Sequence, residues 1–144
     1  MISAHIAKIE KRMKSKGEWF QHSSSSEEVV DGYLSANGLQ CPEQFRQFLI
    51  EYGFLGWFGE IIMGIPDDTL EPDFRVEFDL ASYTEEMRGY FPKLKIGAAL
   101  MSDGRGGFYY FKGAEDGAFH YEHETNRSER AFVDFEALLK HHAR

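Results

Sequence analysis

Residues 102–125, SDGRGGFYYFKGAEDGAFHYEHET, set the strongest limit on what this chain can fold into. Short aromatic-rich runs at 107–112 and 117–122 are separated by segments that place glycine beside aspartate. Such runs read as strands. Asp103-Gly104, Gly106-Gly107 and Asp116-Gly117 supply the positive-φ positions that hairpin connections need. With residues 96–102 as a preceding strand, the segment predicts a glycine-linked antiparallel meander. In the first strand Ile96, Ala98 and Leu100 share a face. In the second, Phe108 and Tyr110 point one way and Tyr109 and Phe111 the other, which predicts a strand near the middle of a sheet covered on both sides.

Three glycines within four positions also raise the question of a phosphate cradle. A phosphate-binding loop lies between a strand and a helix, so that backbone N–H groups and the helix dipole meet the anion. Here a second strand follows instead. The spacing departs from G-x-G-x-x-G, and the Lys-Ser/Thr of a P-loop is missing. SDGRGG reads as a turn.

Helical periodicity marks the rest of the chain. Ile2, Ile6, Ile9 and Met13 form one stripe, which predicts a terminal helix packed on its own domain; a membrane-surface or partner-binding helix is the alternative. KGEWFQHSSSSEE, residues 16–28, reads as a loop anchored by Trp19 and Phe20, with Ser25 and Glu28 spaced as a capping box. The helix that follows carries Val30, Tyr33, Leu34 and Asn37 and is stopped by Gly38. CPEQFRQFLIEYG, residues 41–53, is the clearest helix. It has Pro42 at the first helical position, Phe45, Phe48, Leu49 and Tyr52 on one face, and Gly53 at its end. FLGWFG, residues 54–59, reads as an aromatic turn, and EIIMGIP, residues 60–66, as a buried strand ended by Pro66.

An acidic loop, DDTLEPD, then leads to a helix within residues 78–91. Its stripe is Leu80, Tyr83, Met87 and Tyr90 or Phe91, and Pro92 ends it. A final helix has Asp134 as N-cap, Leu138 and Leu139 facing inward, and Lys140, His141, His142 and Arg144 complementing its C-terminus. Strands and helices are segregated, so the expected class is α+β with a largely antiparallel sheet flanked by N-terminal, middle and C-terminal helices. At 144 residues the chain is expected to form one domain, with residues 1–25 an N-terminal helix and a Ser-rich loop.

Charge narrows the partner class. Residues 1–16 carry five basic residues against Glu10, a net of +4, so the remainder sums to −12 of the total −8. Residues 60–88 alone hold nine acids against Arg75 and Arg88. An acidic body argues against direct binding of nucleic acid or of an anionic membrane, and favours a basic partner or a solubilising surface. No apolar run approaches the ~20 residues of a membrane span, and no secretory signal opens the chain. Cys41, the only cysteine, fits a reducing cytoplasm.

Candidate chemistry is sparse. His120, Glu122, His123 and Glu124 are metal-ligand types, but in a strand the two histidines point to opposite faces, so a solvated strand end is expected. Asp67, Asp68, Glu71 and Asp73 do not match the spacing of an EF-hand loop. Cys41 has no evident His/Asn partner in sequence, and Ser102 lacks a G-x-S-x-G elbow. No catalytic residue, cofactor or metal is expected.

The order of these elements resembles the SUKH superfamily, which includes the Smi/Knr-type regulators of yeast and many small bacterial proteins. The likeness rests on Pro42, Phe45, Phe48 and Leu49, on residues 53–59 and 61–64, and on Thr84 and Arg88. It continues through IGAALMSDGRGGFYYFK, DGAFHYEHET and FVDFEALL, so it covers about residues 26–140. The resemblance implies a non-enzymatic bacterial immunity protein, or antitoxin, that neutralises the basic C-terminal domain, typically a nuclease, of a polymorphic toxin. It brings no shared contact residues. Charge and expected exposure select Asp67, Asp68, Glu71, Asp73, Glu85 and Glu86 as the partner-binding face, with Phe74 or Tyr83 as its desolvated anchor. Two other functions stay open: a regulatory interaction module of the Smi/Knr type, or a small-molecule-binding domain using an aromatic pocket near Trp57, Phe58 and Tyr109.

Overall fold

A computed structural model describes residues 1–67 and 70–144, with Phe74 as backbone only. The class is α+β: six helices and two antiparallel sheets among the described residues. The order is α1 (Ile2–Ser15), β1 (Phe20–His22), α2 (Glu27–Ala36), α3 (Glu43–Glu51), β2 (Leu55–Trp57), β3 (Glu60–Ile62), α4 (Pro72–Phe78), α5 (Leu80–Tyr90), β4 (Ala98–Ser102), β5 (Phe108–Phe111), β6 (Ala118–Glu122), β7 (Arg127–Phe132) and α6 (Phe135–His142).

The meander runs β4-β5-β6-β7, and β5 is an inner strand with aromatic residues on both faces. Phe108 and Tyr110 join Ile96, Ala99 and Tyr121 in a cluster against Met87 and Phe91 of the α5 region. Phe111 faces the larger core with Ile9, Phe45, Phe48 and Phe135, which α1, α3 and α6 supply. Ala98 and Leu100 share the larger core as expected, but Ile96, which precedes β4, packs on the α5 side with Ala99; a register shift lies between Ala99 and Met101. Thr84, buried on α5, accepts the Ala99 N–H at 3.0 Å beside this shift. Arg88 donates to the carbonyls of Ile96 (2.9 Å), Gly97 (3.2 Å) and Gly38 (3.1 Å). Both polar residues thus tie α5 to the start of the meander.

Several local expectations shift. Ser26, not Ser25, caps α2 by accepting from Val29 N–H, and Pro42 is the N-cap rather than the first residue of α3. Residues 20–22 are strand β1, and the middle of FLGWFG is strand β2: β1, β2 and β3 form a three-stranded sheet, with β2 and β3 joined by a turn at Phe58 and Gly59. The acidic stretch is partly helical, because Pro72 opens α4 with Glu71 as its N-cap. Strand β7 follows β6. Its RSERAF sequence is exposed apart from the half-buried Phe132, so it lacks an apolar alternation, and its charges suit an edge strand.

The chain ends meet. Arg12 donates to the carbonyls of Arg144 (2.5 Å) and His142 (3.0 Å), and the N-terminal ammonium pairs with Glu136 at 2.7 Å. Burial, with the charges of His141 and Arg12 adding to it, pushes the His142 imidazole down to about 4. This is below its unfolded value, so the stability tied to neutral His142 is complete above about pH 6.5 and is lost as pH falls towards 4. Urea midpoints at pH 7 and pH 4.5 are therefore expected to differ less in His142→Phe than in the parent chain. An identical pH slope in the two proteins would count against it.

Candidate functional site

At the end of the β4–β5 hairpin, two concavities share Asp103. The first, about 300 Å³, is lined by Asp103, Arg105, Tyr109, His120, Glu122, His123 and Glu124. The second, a groove of about 370 Å³, runs along Trp19, Trp57, Phe58, Glu60, Ile61 and Met63 to Ser102, Asp103 and Gly104. The β2–β3 turn positions the groove's outer wall: Phe58 N–H donates to the Trp19 carbonyl at 3.2 Å, and Trp57 pairs with Glu60 across the hairpin. Phe58 is 67% exposed and Trp19 44%. Trp19 rests on Phe78 and covers Gly56, where any β-carbon would come within 2.5 Å of the indole.

Asp103 is more than a turn residue. Oδ1 accepts from the backbone N–H groups of Arg105 (2.7 Å) and Gly107 (2.9 Å), and Oδ2 pairs with His120 Nε2 at 2.8 Å. Burial pushes its carboxyl up, but the His120 bond and the two amides outweigh burial and hold it below the usual range. Tyr109 stacks on His120 with ring centroids 4.6 Å apart. Asp103→Ala, which leaves two amides and the imidazole without their acceptor, is expected to cost about 1–3 kcal/mol in urea unfolding. A cost under about 0.5 kcal/mol would reduce Asp103 to an ordinary surface turn residue. Gly107 has an ordinary φ, but a β-carbon there would lie 2.1 Å from the Tyr121 carbonyl oxygen, whereas Gly104 and Gly106 hold positive φ.

The two histidines meet on one cavity. Strand β6 stops at Glu122, so His123 lies in the following turn and does not continue the strand alternation; the expectation of opposite faces fails there. Among the described residues, no three His, Cys, Asp or Glu side chains converge as a metal site. Burial, with Glu43 adding to it, pushes the Cys41 thiol up to about 12, which keeps it protonated and poorly nucleophilic at neutral pH.

The residues chosen for a partner face come from different elements. Asp67 is half-buried and accepts a hydrogen bond from the Ser23 hydroxyl. Glu71 and Asp73 are exposed at the start of α4, while Asp68 and the Phe74 side chain lie outside the described residues. Glu85 and Glu86 are exposed on α5. Tyr83 is half-buried, and burial pushes its hydroxyl up to about 12, with Ser102, Asp103 and Glu86 as its polar neighbours. Tyr83 and Glu86 therefore belong with the Asp103 end of the molecule, and Asp67 with Ser23.

The chain matches no family model and no curated protein. Its site is described by its own chemistry.

That chemistry is aromatic and acidic. Trp57 and Phe58 line the groove and Tyr109 the adjoining cavity, so the expected aromatic pocket is divided at Asp103. Glu60, which carried no role in the sequence reading, is half-buried at the groove wall, and burial pushes its carboxyl up. Its signal was present: Trp57-Phe58-Gly59-Glu60 is a two-residue hairpin connection between short apolar runs. Among the described residues no helix is long and apolar enough to cross a membrane.

Proposed function

We propose that the chain is a bacterial immunity protein of the SUKH type, which binds a basic toxin domain, a nuclease, and blocks it in the cytoplasm without chemistry of its own. The observation that carries this reading is the combination of a net charge of −8 with exposed aromatic side chains beside carboxylates at the Asp103 end. A nuclease domain must be basic to hold phosphates. An acidic partner associates with such a surface quickly, and exposed rings supply the desolvated contacts that then hold it.

Three exposed acids are already committed to an ion-pair cluster, because Arg46 pairs with Glu27, Asp31 and Glu43. Glu71, Asp73, Glu85 and Glu86 remain exposed and supply the steering field, with Tyr83 beside Glu86. The test is co-expression with the C-terminal domain of the neighbouring gene's product, scored by growth, together with on-rates for the purified pair. Protection is expected, and Glu85→Lys/Glu86→Lys should lower the on-rate about tenfold at low salt and much less at high salt. Failure to protect or to form a complex would overturn the reading. A salt-insensitive, unchanged on-rate would reduce these four carboxylates to a solubilising surface.

A further inference from the structure

The groove beside the β2–β3 turn has a composition that selects one kind of side chain. Its exposed wall is aromatic, Phe58 and Trp19, and Trp57 forms its buried side. Glu60 and Asp103 are the two carboxylates that line it. Glu60 has no ion pair among the described residues, and burial alone shifts its carboxyl. Arg12 and Lys16 line a neighbouring hollow that shares Trp57, Phe58 and Glu60 with the groove. The Arg12 guanidinium is held by the carbonyls of Arg144 and His142.

We propose that this groove is the receptor for an arginine side chain presented by a protein partner. A guanidinium is planar and weakly hydrated, stacks on aromatic faces, and forms paired hydrogen bonds with carboxylates. Phe58 and Trp19 offer the faces, and Glu60 offers a half-desolvated carboxylate. Anionic ligands are repelled by the same pair of acids. A lysine satisfies the charge but not the flat contact, so arginine binds in preference. The inference rests on the reading of a basic partner and names the anchor of that contact.

Both tryptophans of the chain, Trp19 and Trp57, line the groove, so intrinsic fluorescence reads it directly. The probe is N-acetyl-arginine amide, titrated against the intact protein, with the neutral citrulline analogue and N-acetyl-lysine amide as controls. A saturable fluorescence change is expected with the arginine probe and none with citrulline, and the lysine probe should bind several-fold more weakly. Glu60→Gln and Phe58→Ala should each weaken the arginine probe roughly five- to tenfold. Phe58 is exposed and Glu60→Gln keeps the side chain's size and shape, so the circular dichroism of each variant should match the parent.

Equal binding of arginine and citrulline probes, or unchanged affinity in Glu60→Gln, would overturn the proposal. The two readings fail separately. A toxin complex whose affinity ignores both substitutions removes the arginine receptor and leaves the immunity function. Arginine binding without protection of growth leaves the receptor and removes that function.

Discussion

Gly64→Ala is expected to destroy the native fold. A β-carbon at Gly64 would lie 1.7 Å from the Gly53 carbonyl oxygen, 2.7 Å from its carbon and 3.0 Å from Phe54 Cα. The obstacle is backbone on every side. Ile65 N–H donates to the Gly53 carbonyl, Gly64 N–H to Phe78, and Leu80 N–H to Gly64, each at 2.8 Å. No side chain can swing away, so relief requires separating the α3–β2 connection from the segment that follows β3. The cost is expected to exceed about 4 kcal/mol, a large part of a typical domain's stability of about 5–15 kcal/mol. Gly53→Ala should fail in the same way. Its β-carbon would lie 1.7 Å from the Ser23 carbonyl oxygen, and its φ of +71° adds strain. Thermal melting by circular dichroism decides it: a soluble Gly64→Ala variant that melts within a few degrees of the parent would show that the two segments can part at little cost.

Phe45→Ala should produce the largest loss among core truncations. Phe45 is fully buried, and its ring lies 5.4 Å from Phe48 and 5.0 Å from both Phe111 and Phe135. It therefore joins α3 to the meander and to α6 at once. Removing the ring forfeits its burial and leaves a cavity between elements that cannot all close on it, at about 3–5 kcal/mol. Urea unfolding measures this directly. Phe58→Ala is the matched control: the same truncation at an exposed ring should stay within about 0.5 kcal/mol. If the two variants lose similar stability, the assignment of Phe45 to the core and Phe58 to the groove is wrong.

Much of the fold was legible because its signals are local. The stripe of Phe45, Phe48 and Leu49 places α3, and all three are buried. Asp134 caps α6 by accepting from Ala137 N–H. The alternation of residues 108–111 gave an inner strand with two covered faces. What was missed had weak or competing local signals. Strand β7 is exposed along almost its whole length, and β1 and β2 are three residues each, too short for a period to emerge. Helix α4 was masked by its acids, although Pro72 after Glu71 marked its start.

The candidate site divides along the same line. Sequence alone supplied its ingredients: the acidic excess, the Asp103 turn and the aromatic turn that holds Trp57 and Phe58. Their arrangement was decided by tertiary structure. Asp67 was drawn inward to accept from Ser23, 44 residues away in sequence. Asp103 and His120 met because β4–β5 and β6 pair side by side, and Trp19 reached Phe58 because β1 adds to the β2 edge. Charge density and turn chemistry are properties of neighbours in the chain, so they can be read from residue order. Which carboxylate keeps its charge free for a partner depends on which backbone or side chain reaches it first, and that is settled only when distant segments pack.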